Sequence, residues 1–229
     1  MPVIVKRIQR PDEAVARGFL GTGSATVHEC VGKETANAMD AGIKPIGSGL
    51  KVAGPAITVE CFPGDNSTVH IAMTLCRPGD VLVVNAHGAQ SGMLGSQMVF
   101  QCIEKKIGGL VIDGGVRDSK EIIEMGFPCF ARHVNPQGTA KGTLGSINVP
   151  IQCGGVLVRP GDVVVGDDDG VVVVPRTRAK EVLDKSRARD EKEREDRELF
   201  KQGKMSAELL GLTKLLEGKN VTVVEEEEV

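Results

Sequence analysis

The chain contains no tryptophan and no tyrosine, and only 6 phenylalanines among its 229 residues. Proteins that grip single-stranded nucleic acid stack bases on aromatic platforms along a basic groove. With the platforms missing and Lys+Arg 28 set against Asp+Glu 31, nucleic acid is not an expected partner and small molecules are. No apolar run approaches the ~20 residues that a membrane-spanning helix needs. The start, "MPVIVKRIQRPDEA", carries a charge by position 6 and has no apolar core of a secretory signal. The six cysteines, Cys30, Cys61, Cys76, Cys102, Cys129 and Cys153, are spread singly without a C-x-x-C pair. Reduced thiols in a cytoplasmic protein, away from membranes, are therefore the expectation. The four histidines show no H-x-x-x-H pair, no G-x-S-x-G elbow exists, and neither "GTGSAT" nor "GAQSGMLG" carries the Walker lysine or sits as a dinucleotide fingerprint.

What is present is an alternation of Val/Ile-rich runs with amphipathic stretches. "PVIVKRI" reads as a strand, "DEAVARGFL" as a helix, and "SATVHECVG" as a helix capped by Ser24. "LKVAGPAITVEC" is extended, Ser67 is placed to cap "STVHIAMTLC", "DVLVVNA" is a buried strand, "GMLGSQMVFQCIEKK" a helix and "GGLVID" a strand. Alternation of this kind predicts an α/β domain. After Pro128 helical periods vanish, and "VPIQCGGVLVRPGDVVVGDDDGVVVVP" has the texture of hairpins. "RPGD" occurs at 77–80 and 159–162, with "FPGD" at 62–65, each as a turn with Pro at its second position. Asp167-Asp168-Asp169-Gly170 lacks the alternate spacing of a calcium loop and reads as a hairpin turn.

From Arg176 to about Gly203 the chain reads as a charged helix, whose only apolar residue between Leu183 and Leu199 is Ala188. A helix polar all round is solvated or lies against something other than its own core. The division expected is an α/β domain over 1–175 and a C-terminal helical arm over 176–229, with "SAELLGLTKLLEGKN" as a shorter helix and "EEEEV" as a solvated tail. The arm is placed to reach a neighbouring subunit.

One stretch concentrates the chemistry. In "VIDGGVRDSKEI", residues 111–122, a strand is expected to end at Asp113, Gly114 and Gly115 to make a tight turn, and Arg117 and Asp118 to fall at the strand's C-terminal mouth, where open α/β sheets bind ligands. The plainer reading is a helix N-cap by Asp118 with Arg117 in water. The chemical reading is a hard cation such as Mg²⁺ held by the single carboxylate of Asp118, which leaves positions for a chelating substrate. Arg117 then meets the substrate's charge, and a 2-oxo acid, with a carboxylate beside a ketone, suits that pair. Backbone N–H groups of "GMLGSQ" add an anion-binding element.

These segments together resemble the class II pyruvate aldolases that act on 4-hydroxy-4-methyl-2-oxoglutarate and 4-carboxy-4-hydroxy-2-oxoadipate, a family sharing its fold with the regulator of ribonuclease activity A. The resemblance rests on "ATVHE" at 25–29, "PGDN" at 63–66, "LGSQ" at 94–97, "GLVIDGGVRDSKEI" at 109–122, "EMGFPCFAR" at 124–132, "GSINVPI" at 145–151 and "PGDVVVGDDDGVVVV" at 160–174. It implies an α-β-β-α sandwich of the swivelling β/β/α kind. It also implies Asp118 as the ligand of Mg²⁺ or Mn²⁺, Arg117 on pyruvate's oxygens, and the backbone of Gly95, Ser96 and Gln97 on its carboxylate. A homotrimer or hexamer follows, in which a glutamate matched to Glu193 approaches the neighbour's site.

The chain departs from that pattern at Ser96. The aldolases usually place an acidic residue there, 21 positions before the arginine, to handle a proton through water, and a serine hydroxyl without a partner is no general base at neutral pH. Two readings are carried forward: a metal-dependent lyase on pyruvate-yielding 2-oxo acids, and a non-catalytic regulator or interaction module on the same scaffold.

Overall fold

The computed structural model describes residues 1–33, 35–217, 219, 221, 222 and 224, so the acidic tail at 225–229 lies outside the described residues. In chain order the strands are β1 (Lys44–Pro45), β2 (Val52–Glu60), β3 (Val81–Leu94), β4 (Gly109–Val116), β5 (Cys129–Val134), β6 (Ser146–Ile147), β7 (Ile151–Cys153), β8 (Val156–Val158), β9 (Val163–Asp167) and β10 (Gly170–Val174). The α-helices are α1 (Glu13–Gly18), α2 (Ser24–Val31), α3 (Ser67–Leu75), α4 (Ser96–Glu104), α5 (Ser119–Glu124), α6 (Ala179–Lys201), α7 (Ser206–Leu209) and α8 (Thr213–Glu217). No helix among the described residues is long and apolar enough to cross a membrane.

The main sheet runs β1-β5-β4-β3-β2-β9-β10, with β6 also on β2. β2 to β5 are joined by parallel pairings, whereas β9 and β10 pair antiparallel. Parallel strands covered on both faces need apolar residues at every position, which is why "VLVV" and "GLVI" show no alternation. One face packs Leu82, Val84, Leu110 and Ile112 against Met73 of α3 and Val99 and Cys102 of α4. The other packs Val83, Val111 and Phe130 against Cys153, Val158, Val164 and Val173. A third core sets Val165, Val172 and Val174 on Phe19, Val27 of α2 and Val182 and Leu183 of α6. Helices, strands, strands and helices thus follow one another across the unit, the α-β-β-α order expected. Burial pushes the thiols of Cys61, Cys102 and Cys153 up to about 12, so they are core side chains and not nucleophiles.

The three Pro-Gly-Asp turns share one geometry. In each, the Asp N–H donates to the carbonyl three residues back: Asp65 to Phe62 at 3.0 Å, Asp80 to Arg77 at 3.1 Å, and Asp162 to Arg159 at 3.0 Å. The glycines sit at φ 78°, 83° and 84°, the left-handed third position of a type II turn that only glycine occupies freely. The aspartates differ in what their side chains accept. Asp80 takes the Arg77 N–H and both arms of the Arg10 guanidinium, Asp65 ties Ser67 to Thr143, and Asp162 takes two backbone amides, those of Arg159 and Arg176.

Several local expectations are corrected. "PVIVKRI" is no regular strand, only a bridge of Ile4 to Ile147. Ser24 and Ser67 are first helical residues rather than caps; their amides are held by Asp167 at 2.7 Å and Asp65 at 2.9 Å from other turns. β4 does not stop at Asp113 but continues to Val116, and the helix expected from Gly92 begins at Ser96 because β3 runs to Leu94 through three register shifts. Gly115 serves close approach rather than a tight turn: a side chain there would strike the carbonyls of Gln90 and Ser91. The stretch at 206–217 is two helices, broken at Gly211 with φ 65°.

Residues 1–187 and 188–229 form two units. Ala179, Val182 and Leu183 are buried in the first. The second begins inside the charged part of α6, where Arg189 pairs with Glu193 at 3.1 Å.

Candidate active site

Asp118 stands at the N-cap of α5 with φ 57° and ψ 35°, and its carbonyl accepts the helix's first bond from Ile122 at 3.1 Å. Its side chain does not cap that helix. Oδ2 instead accepts the Ser96 amide at 3.0 Å and the Ser96 hydroxyl at 3.4 Å, at the start of α4. A non-glycine residue in the left-handed region is held there only when its surroundings over-determine it, and here the grip of Ser96 does so. Arg117 lies beside it, Nε 3.6 Å from Oδ2, with its backbone N–H on the Leu94 carbonyl at 3.0 Å. The two side chains remain 47% and 37% exposed, so their mutual attraction is largely screened and neither is tied up by the other.

Gly95 makes this junction possible. A β-carbon on it would lie 2.5 Å from Asp118 Oδ2 and 3.0 Å from Arg117 Nε. "LGSQ" therefore belongs with "RD" in space: the glycine admits the pair and the next amide holds the carboxylate.

Arg117, Asp118, Gly95 and Gln97 line one cavity of about 280 Å³, together with Asn66, His70, Thr139 and Lys141. Ser96 is 5% exposed and sits beneath, bonded to Asp118. Gln97 opens the first turn of α4, where amides lack partners within the helix. Glu193 belongs to the second unit, paired within α6.

Sequence reasoning left out Asn66, His70, Thr139 and Lys141, and tested the histidines only for a metal-binding pair, which they do not form. The loop after β5 has no periodicity to read. What carries it to the cavity is hydrogen bonding to the turn before α3: Thr143 N–H to Asp65 at 2.8 Å, Ala140 N–H to Gly64 at 2.8 Å and Gly142 N–H to the Ser67 hydroxyl at 2.9 Å. Burial of Asp65 works to raise its pKa, but the bonds from Ser67, Thr143 and Gly142 outweigh it and hold the carboxyl below its ordinary value. His70 is lowered by burial first and by the nearby Lys141 charge second, both of which favour its neutral form.

The donor set can be tested against a cation. Among the described residues no three His, Cys, Asp or Glu side chains converge as a metal cage, which does not fit zinc. Asp118 is the one carboxylate among the lining residues, and Asn66, which also lines the cavity, has a buried Oδ1 without a partner among the described residues. One carboxylate with neutral oxygens fits a hard cation that keeps several waters.

The scaffold is thus an α-β-β-α sandwich with an Arg-Asp pair at the mouth of its parallel strands, over a small polar cavity. Comparison with known proteins gives the family. Residues 24–173 match the RraA-like family model, described as Aldolase/RraA, and the chain belongs to that family. It is 41% identical over 146 residues, 63% of this chain and 70% of the other, to a Halalkalibacterium halodurans protein named "Putative 4-hydroxy-4-methyl-2-oxoglutarate aldolase". An uncharacterized protein of Methanocaldococcus jannaschii is 34% identical over 77% of this chain and 89% of its own. Among solved structures, Streptomyces coelicolor RraAS2, titled an unusual member of the RNase ES inhibitor RraA protein family, superposes with TM-score 0.74 at 34% identity, covering 82% of this chain and 98% of its own.

Proposed function

We propose that the protein is a carbon–carbon lyase that releases pyruvate from 4-hydroxy-2-oxo acids or decarboxylates oxaloacetate, with Mg²⁺ or Mn²⁺ held by Asp118. The observation that carries this reading is the turn of the Asp118 carboxylate away from its own helix into a cavity it shares with Arg117. The aldolase name borne by several relatives supports it. A bound divalent cation would polarise the substrate's 2-oxo group as a Lewis acid. Arg117 donates to the same oxygen, where charge develops as the C3–C4 bond breaks and pyruvate departs as its enolate. The amides of Gly95 and Gln97, at the start of α4, receive the adjacent carboxylate. Ser96, whose amide is committed to Asp118, supports the cation's ligand. The test is pyruvate release from a panel of 2-oxo acids with Mg²⁺ and with EDTA; turnover that survives complete chelation removes the cation from the reading, and no turnover of any substrate removes catalysis.

The second reading, a regulator that binds another protein, is favoured by Ser96 at the position of the acidic residue and by the RraA titles of structural neighbours. Silence across the substrate panel is the outcome it expects.

The working form is proposed as a homotrimer or hexamer in which Glu193 of a neighbouring copy approaches the site. One feature motivates it: α6 presents no apolar residue between Ala188 and Leu199, and a helix polar all round is solvated or lies against something other than its own core. Sedimentation velocity at micromolar concentration is expected to return three or six copies. A monomer rejects both the assembly and the role of Glu193.

A further inference from the structure

The loop after β5 carries a charge that the chemistry at Arg117 and Asp118 does not use. It begins beside Arg117: the Asn135 N–H donates to the Val116 carbonyl at 2.9 Å, and the Gln137 carbonyl accepts the Gly92 N–H at 2.8 Å. A β-carbon on Gly92 would strike both the Arg117 stem and the Asn135 carbonyl. The loop then crosses to the start of α3. There the Ala140 N–H donates to the Gly64 carbonyl at 2.8 Å, the Ala140 carbonyl accepts the Asn66 N–H at 3.3 Å, and the Gly142 N–H donates to the Ser67 hydroxyl at 2.9 Å. Lys141 is thus pinned on both sides, and from Gln137 to Lys141 the chain can reach at most about 14 Å.

Lys141 lines the same cavity of about 280 Å³ as Arg117 and Asp118, and so does His70 from the first turn of α3. Burial lowers the imidazole's pKa and the Lys141 charge lowers it further, so the two side chains are neighbours at this end. Among the described residues no carboxylate meets the Lys141 ammonium, and neither ring nitrogen of His70 has a hydrogen-bond partner. The charged groups of the lining are then one carboxylate, that of Asp118, and two cations, Arg117 and Lys141. A pyruvate unit placed on Arg117 leaves Lys141 unmet.

We propose that Lys141, with His70 beside it, receives the second carboxylate of a 2-oxo diacid whose first carboxylate and 2-oxo group lie at Arg117, so that this pair selects diacids over monoacids of the same length. The inference rests on the lyase reading of the site. An ammonium gives a carboxylate a charge-assisted hydrogen bond, and the imidazole N–H adds a neutral one. The pair also separates the two reactions. When a C5 carboxylate is present it keeps its charge as the C3–C4 bond breaks, so Lys141 binds ground state and transition state alike. In oxaloacetate the second carboxylate is the group that departs as neutral CO₂, its bonding electrons passing to the enolate. Any hold of Lys141 on it is given up before the products form.

Isothermal titration of the full chain with saturating Mg²⁺ tests this with 2-oxoglutarate and 2-oxovalerate, which share a five-carbon skeleton and differ by a carboxylate against a methyl. Neither has a C4 hydroxyl to cleave. 2-Oxoglutarate is expected to bind about tenfold more tightly, the worth of one hydrogen bond to a charged group. Lys141→Met is expected to bring the ratio close to one, Lys141→Arg to keep most of it, and His70→Leu to lower it about threefold, the worth of a neutral bond. Damage to the fold or to the Arg117 end weakens both ligands together, so the ratio reports the far end alone. With oxaloacetate, Lys141→Met is expected to raise KM without lowering kcat; a kcat that falls instead overturns the binding role. Equal binding of the two acids by the wild type, or a preference that survives Lys141→Met, overturns the assignment and leaves the lyase reading standing. Failure of both acids and of pyruvate to bind overturns that reading, and the assignment with it.

Discussion

Asn in place of Asp118 is expected to lower pyruvate release from oxaloacetate by on the order of 10²–10³-fold, the range found when one electrostatic contact to developing charge is removed. The substitution is chosen for what it keeps. Position 118 has φ 57°, a conformation that asparagine tolerates as well as aspartate, and an amide oxygen can still accept the Ser96 N–H that now ends on Oδ2. The amide nitrogen then faces the cavity, a donor where a cation's ligand stood. Unfolding temperature should stay within a few degrees of wild type while activity collapses. Activity near wild type in a variant that folds normally would separate Asp118 from the chemistry.

Ser96→Asp is expected to raise cleavage of 4-hydroxy-4-methyl-2-oxoglutarate much more than decarboxylation of oxaloacetate. Retro-aldol cleavage needs a group to take the proton of the C4 hydroxyl as the carbon–carbon bond breaks. Decarboxylation needs only a place for the electrons, because CO₂ leaves without surrendering a proton. On the proposed reading Arg117 and Asp118 supply that place, and general-base catalysis is worth typically about 10²–10⁴-fold, which is the range within which the aldolase rate should rise. The structure adds a condition: the Ser96 hydroxyl is 3.4 Å from Asp118 Oδ2, so a carboxylate at 96 would stand beside a like charge. Such pairs share a proton, with one pKa raised, and the gain should therefore appear at higher pH and in the presence of Mg²⁺. Efficient wild-type aldol cleavage that the substitution leaves unchanged would put the base elsewhere, with neutral His70 in the same cavity and Glu193 as the groups to replace next.

The parallel strands were legible because burial on both faces writes unbroken apolar runs, and the hairpins because Gly and Pro punctuate them. Element ends were not, since they are set by residues far along the chain. Ser24 looks like a cap until Asp167 is brought to its amide, and Gly92 to Leu94 look helical until β4 pairs with them. The site divides the same way. Arg117 and Asp118 are neighbours in sequence and could be paired by inspection, and Gly95 to Gln97 came with the family resemblance. That Asp118 turns from its own helix to grip Ser96 is a tertiary fact, as is the arrival of Thr139 and Lys141 on a loop tied to the turn at Asp65.

The central claim is a site built for charge that develops on a 2-oxo oxygen, and affinity for a mimic of that charge tests it most directly. Oxalate is a planar dianion of the size of pyruvate's enolate. With saturating Mg²⁺, titration should show oxalate binding at least about 10²-fold more tightly than pyruvate, the lower end of the advantage of transition-state analogues, with the advantage lost in Asp118→Asn and Arg117→Ala. Oxalate that binds no better than pyruvate, or equally well to both variants, would contradict the account.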